Sequence, residues 1–210
     1  VNPGWIVPDR LIFDALMAGL VEIDAAFTAN TIDRLLERMF NSFDGPARAQ
    51  VREWLRANEV RLLLNFPQTD AEIPCLAVVV DPDEQSAQYV GDLGGRVQLD
   101  SGEIVNAQTS RWRTTVGVIA YAEKSDVVLW LNHIAKFLLS AKRKELFDHF
   151  VHGQTLRGRD LGFDQRFAPR FVYRRVVALT AEYDQTDAVE EGAAAITSVS
   201  SAPEVVSGVV

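Results

Sequence analysis

RWRTTVGVIAYAEKSDVVLWLNHIAKFLLSAKRKELFDHF, residues 111–150, and GRDLGFDQRFAPRFVYRRVVALTAEY, residues 158–183, decide the fold. The first segment opens on an apolar β-type run from Arg111 to Tyr121 and passes into one long amphipathic helix near residues 125–150, with Ser125 as the expected cap. Val128, Leu131, Ile134, Ala135, Leu138 and Leu139 recur at helical spacing and predict its buried stripe. The second segment reads as a Gly-rich loop followed by a strand from Phe171 to Tyr183, in which Val172, Arg174 and Val176 alternate with Tyr173, Arg175 and Val177. These stretches hold no nucleophile beside a base, no metal-ligand set and no phosphate loop, so they read as scaffold.

Upstream, Val60 to Phe66 and Pro74 to Val80 are short apolar runs bounded by turn residues and predict two more strands. Between them and Arg111 the chain turns polar. Asp100-Ser101-Gly102, set between alternating residues, predicts a hairpin that projects from the domain or pairs with another subunit. Three helices are expected before residue 60: Asp9 to Phe27, a second capped by Asn30 or Thr31 and running through Phe43, and a third opened by Asp44 with Pro46 in its first turn. The fold class is therefore α+β, a mostly antiparallel sheet packed by helices. Its expected organisation is an N-terminal arm at 1–8, a single domain at 9–187 and an extended or disordered C-terminal arm at 188–210.

The 210 residues carry a net charge of −8, distributed unevenly. Arg175 is the last basic residue, and six of the 29 acids follow it, which leaves 23 acids against 21 bases in residues 1–175. No basic stripe offers itself to phosphates, so sequence-reading of nucleic acid is not expected. No apolar run approaches the roughly 20 residues that cross a bilayer, and VNPGWIVPDR lacks the regions of a signal peptide, so an intracellular origin is expected. The one cysteine, Cys75, lies in IPCLAVVV and reads as core.

Each group that could carry chemistry has a plainer reading. His149 and His152 flank a helix end without further ligands, and His133 falls beside core positions. Asp81, Asp83 and Glu84 lack the glycine of a calcium loop and read as a turn after a strand. Gly91, Gly94 and Gly95 lack the ending of a phosphate loop and read as turn and hinge. Arg157, Arg159, Arg174 and Arg175 read as solvated or ion-paired sheet surface. No catalytic residue, cofactor or metal is expected.

The order of these parts carries a resemblance. IAYAEKSDVVLWLNHIAKFLL (119–139), GRDLGFD (158–164) and APRFVYRRVVALTAEY (168–183), preceded by RLLLNFPQTDAEIPCLAVVVDPDEQSAQYVGD (61–92), resemble the tail-terminator and neck proteins of long-tailed bacteriophages over about residues 55–185. That resemblance implies a non-enzymatic virion subunit, made in the bacterial cytoplasm and placed at the head–tail junction. There it would form a homo-oligomeric ring, a hexamer, that ends tube polymerisation and joins tail to head. Its implied partners are further copies of itself, the tail tube and sheath proteins and the neck connector, with genomic DNA only passing through the lumen and no membrane involved. Candidate subunit contacts are Trp5, Ile6, Tyr89, Val97, Leu99, Ile104, Val205 and Val206, and candidate lumen acids are Asp81, Asp83 and Glu84. Two alternatives remain open: a head-completion or connector subunit, and an enzyme of unknown type using Arg157, Arg159, Asp160 and Asp164.

Overall fold

The computed structural model describes residues 7–81, 84–98, 104–148 and 151–189. Helices α1 (Pro8–Thr28), α2 (Ile32–Met39) and α3 (Gly45–Ala57) precede strands β1 (Arg61–Leu64), β2 (Cys75–Val80), β3 (Glu84–Gln98) and β4 (Ile104–Ala122). Helices α4 (Ser125–Ala141) and α5 (Arg143–Asp148) and strands β5 (Val151–Phe163) and β6 (Tyr173–Val189) follow. The strands lie in the order β1-β2-β4-β6-β5, with β3 paired to β4 outside that order. β1 runs parallel to β2, whereas β2–β4 and β5–β6 are antiparallel. The chain is thus α+β with a mostly antiparallel sheet.

Its contacts form two compact units. The larger takes Val7–Glu84 and Arg113–Tyr183; among the described residues, the smaller takes 85–98, 104–112 and 184–189.

Within the larger unit, side-chain alternation sends Leu76 and Val78 of β2, Val116, Val118 and Ala120 of β4, and Val177 and Leu179 of β6 into one core with the helices. Helix α1 contributes Ile12, Leu16, Leu20 and Ile23, spaced so that they share one face. Helix α4 contributes all six of its expected stripe residues. The two helices approach closely at Gly19, where a Cβ would stand 2.6 Å from Leu138 Cδ2. Lys142 at the end of α4 reaches Glu22 of α1 at 2.7 Å, and that hydrogen bond raises the ammonium's pKa. The third helix is capped as expected, with the Ala47 N–H donating to Asp44 Oδ1 at 2.8 Å.

Several local expectations are corrected. The segment expected as a Gly-rich loop lies in strand β5, which pairs antiparallel with β6 from Val151 to Phe163 with breaks in register at His152/Thr155 and Asp160/Gly162. Gly158 fits that strand because Lys136 of α4 lies over it; a Cβ there would meet Lys136 Nζ at 2.8 Å. Likewise Gly91, Gly94 and Gly95 continue through β3 instead of turning. β3 and β4 pair, β4 is one strand from Ile104 to Ala122, and the Asp100-Ser101-Gly102 turn expected between them lies outside the described residues. The long helix is broken at Lys142 into α4 and α5, which brings Leu146 into the core. Lys124, not Ser125, occupies the N-cap position of α4, without a side-chain bond; Asp126 in the first turn complements the helix dipole. Asn30 ends α1 in the left-handed region at φ 56°, and the Thr31 hydroxyl donates back to the Ala26 carbonyl, so neither side chain caps α2.

Candidate functional site

Among the described residues, no α-helix packs over the opposite face of the same strands. Cys75 and Ala77 of β2, Ile119 and Tyr121 of β4, and Val172 form its buried part, with Ile73, Leu161 and Phe167 packed against them. Burial pushes the Cys75 thiol up to about 12, so it remains a neutral apolar filler, as expected of it. Burial likewise raises the Tyr121 hydroxyl's pKa, against the pull of the neighbouring Arg166 guanidinium.

The connection between β5 and β6 covers this part of the face, and one carboxylate organises it. Asp164 is 3 % exposed and accepts from the Arg166 backbone N–H at 3.1 Å, from Arg166 Nη2 at 2.6 Å and from Arg174 Nη1 at 3.4 Å. Its own N–H donates to the Val172 carbonyl at 2.7 Å. The Arg166 hydrogen bonds hold the carboxyl below its ordinary pKa of 3.8, outweighing the opposing effect of burial. Arg166 also lies over the Phe66 ring, 5.2 Å from its centroid.

Past that connection the face opens as a groove of about 540 Å³. Val79, Gly117, Ile119, Val176 and Ala178 line it together with Leu161; Arg157 and Arg159 stand along its β5 side, and Phe66, Asp81 and Thr115 also border it. Alternation along β5 turns Gly158 toward α4 and its two neighbours, both exposed, toward the groove. Among the described residues, neither Arg157 nor Arg159 has an ion-pair partner, whereas Arg175 reaches Asp160 at 3.1 Å and Arg174 reaches Asp164. Asp160 accepts from the Gly162 N–H at 2.9 Å, where φ is +70°; this bond first, and Arg175 after it, lower its pKa. Asp160 and Asp164 therefore stay ionised and engaged, the opposite of the raised pKa a general acid needs near neutral pH.

The remaining sequence candidates are dispersed. Asp81 follows β2, exposed, with its N–H donating to the Thr115 carbonyl at 2.9 Å. Glu84, Tyr89 and Val97 lie in β3 and Ile104 begins β4. Trp5, Ile6, Asp83, Leu99, Val205 and Val206 lie outside the described residues, as does His149. Among the described residues, no group of three or more His, Cys, Asp or Glu side chains could hold a metal ion, and no helix is long and apolar enough to cross a membrane. His133 stacks on Phe40, with ring centroids 5.3 Å apart, and burial first, then Lys136, lowers its pKa.

Sequence reasoning took Arg157, Arg159, Arg174 and Arg175 together as sheet surface and missed the groove. The available signal was the second register of the alternating strands: Thr115, Gly117 and Ile119 in β4, and Val176 and Ala178 in β6, are smaller or less uniformly apolar than the residues between them. No protein-family model and no curated protein matches the chain.

Proposed function

We propose that this chain is a structural subunit of a long-tailed phage virion, a tail terminator that forms a ring at the head-proximal end of the tail and joins it to the head. The reading rests on the resemblance over about residues 55–185, and one observation supports it physically: among the described residues, the sheet of the larger unit is packed by helices on one face and carries a groove on the other. A ring closed by rotation uses two different surfaces on each subunit, one meeting the other on the next copy. A helix layer and an arginine-edged sheet groove are two such surfaces. The near-neutral balance of residues 1–175 also suits a lumen that DNA must traverse without sticking.

Mass photometry and negative-stain microscopy of the purified protein, with and without tail tubes of the same phage, test the proposal. The expected result is a monomer or loose oligomer alone and a closed ring on one end of each tube. A protein that stays monomeric and never binds tubes overturns the terminator reading. Binding to filled heads but not to tubes replaces it with the head-completion reading.

A further inference from the structure

The groove lies wholly within the larger unit, and its two long sides differ in charge. On the β5 side, Arg157 and Arg159 are exposed, face the same way and have no ion-pair partner among the described residues. Two residues of strand set them roughly 7 Å apart, which is also the repeat of any extended peptide. On the β2 side, Val79 offers apolar surface, continued by Ile119, and Asp81 is the acidic residue among those that line the groove. The floor between the sides is lower than the fold requires. Gly117 has no positive φ to call for glycine. A Cβ there would stand 3.4 Å from Val176 Cγ2 and 3.7 Å from the Val79 carbonyl oxygen, ordinary contact distances, and a β-branched residue would suit the strand better. Glycine therefore leaves open a space that the packing of the sheet does not need.

We propose that this groove binds an extended segment of a partner protein in which acidic and apolar residues alternate. Successive side chains of an extended chain point to opposite sides. A segment lying along β5 sends its acids at i and i+2 to Arg157 and Arg159, and the residues between them over Gly117 toward Val79 and Ile119. Asp81, on the β2 side, repels a segment with acids on both of its sides. The groove thus selects the alternation rather than the total charge. The inference goes beyond the ring reading and stands on the groove's own geometry, since it specifies what a contacting chain presents there.

The probe is a labelled, end-blocked hexapeptide of alternating glutamate and valine, titrated with the full chain and followed by fluorescence anisotropy. Saturable binding is expected, and Arg157→Glu with Arg159→Glu should weaken it about tenfold or more. The same variant should gain affinity for the lysine–valine peptide, a rescue that misfolding cannot produce. Gly117→Val, which fills the floor and leaves both arginines in place, should weaken the glutamate–valine peptide comparably. A peptide of three glutamates followed by three valines, and one alternating glutamate and serine, should each bind more weakly than the alternating glutamate–valine peptide. Equal binding of the first removes the two-residue spacing, and equal binding of the second reduces the site to a cationic patch; either result overturns the proposal. So does the absence of saturable binding, binding that survives both the arginine reversal and Gly117→Val, or displacement of the peptide by an equal concentration of a short single-stranded oligonucleotide. No tail tube enters these measurements. A protein that binds the peptide yet never caps a tube removes only the ring reading, and one that caps tubes yet ignores the peptide removes only this inference.

Discussion

The two faces of the sheet in the larger unit are built from the same strands and have opposite economies. Toward the helices, Leu76, Val78, Val116, Val118, Val177 and Leu179 are closed off from water. One residue along each strand, Ala77, Val79, Gly117, Val176 and Ala178 are smaller on average, and among the described residues part of that face is roofed by the short connection that Asp164 organises. The difference teaches that stability and availability are separated here by the two-residue period of a strand. One register carries most of the hydrophobic burial; the other lines a groove among the described residues.

That comparison predicts a gradient of effects. Leu131→Ala or Leu138→Ala, on the helix side, should destabilise by about 2–5 kcal/mol through lost burial and a residual cavity, read by urea denaturation. A loss below about 0.5 kcal/mol at both would mean that the helix layer does not carry the core.

Asp164→Ala should cost about 1.5–3 kcal/mol, the range for hydrogen bonds to a charged group, because it removes the carboxylate that accepts from Arg166 and one of the acceptors of Arg174. The same carboxylate makes stability acid-sensitive. Its folded pKa lies below 3.8, so its contribution is fully present above that value and is lost as pH falls through the folded pKa. Asp164→Asn should flatten the stability–pH curve below about pH 4. An unchanged slope there would assign acid sensitivity to other carboxylates.

A smaller effect belongs to His133 on the helix side. Its folded pKa is lowered from 6.5, so the unfolded chain binds the proton more readily, and stability should fall as pH drops below about 6.5. Replacing His133 with Phe, which keeps the aromatic stack on Phe40, should remove that first, shallow step in melting temperature.

The smallest effect on stability should come from the open face. Arg157→Glu with Arg159→Glu should shift the unfolding free energy by no more than about 0.5 kcal/mol, since both side chains are exposed. A large loss in the same denaturation assay would show that these arginines support the fold and would erase the contrast between the faces.

How much of this was legible in the sequence follows the range of the forces involved. The stripes of α1 and α4 were readable because a period near four, held over 21 and 17 residues, leaves no other compact solution. Strand β5 was not readable, because its glycines and charges give no local β signal and its order comes from register with β6. The break at Lys142 was hidden for a similar reason: AKRKE favours helix locally, while Leu146 is claimed by the core and Lys142 by Glu22. The groove was half legible. CLAVVV announces a strand, yet which of its faces receives a helix depends on helices more than forty residues away in either direction.

The seating of α1 on α4 at Gly19 and Leu138 also sets a timetable for synthesis. The ribosome must add 119 residues between those two positions. At about 5–20 residues per second, the apolar stripe of α1 waits roughly 6–24 s for the helix that covers it. During that interval the nascent chain displays the composition of an aggregation-prone segment, and ribosome-bound fragments ending before Ser125 should be captured by chaperones far more strongly than those extended past Leu146.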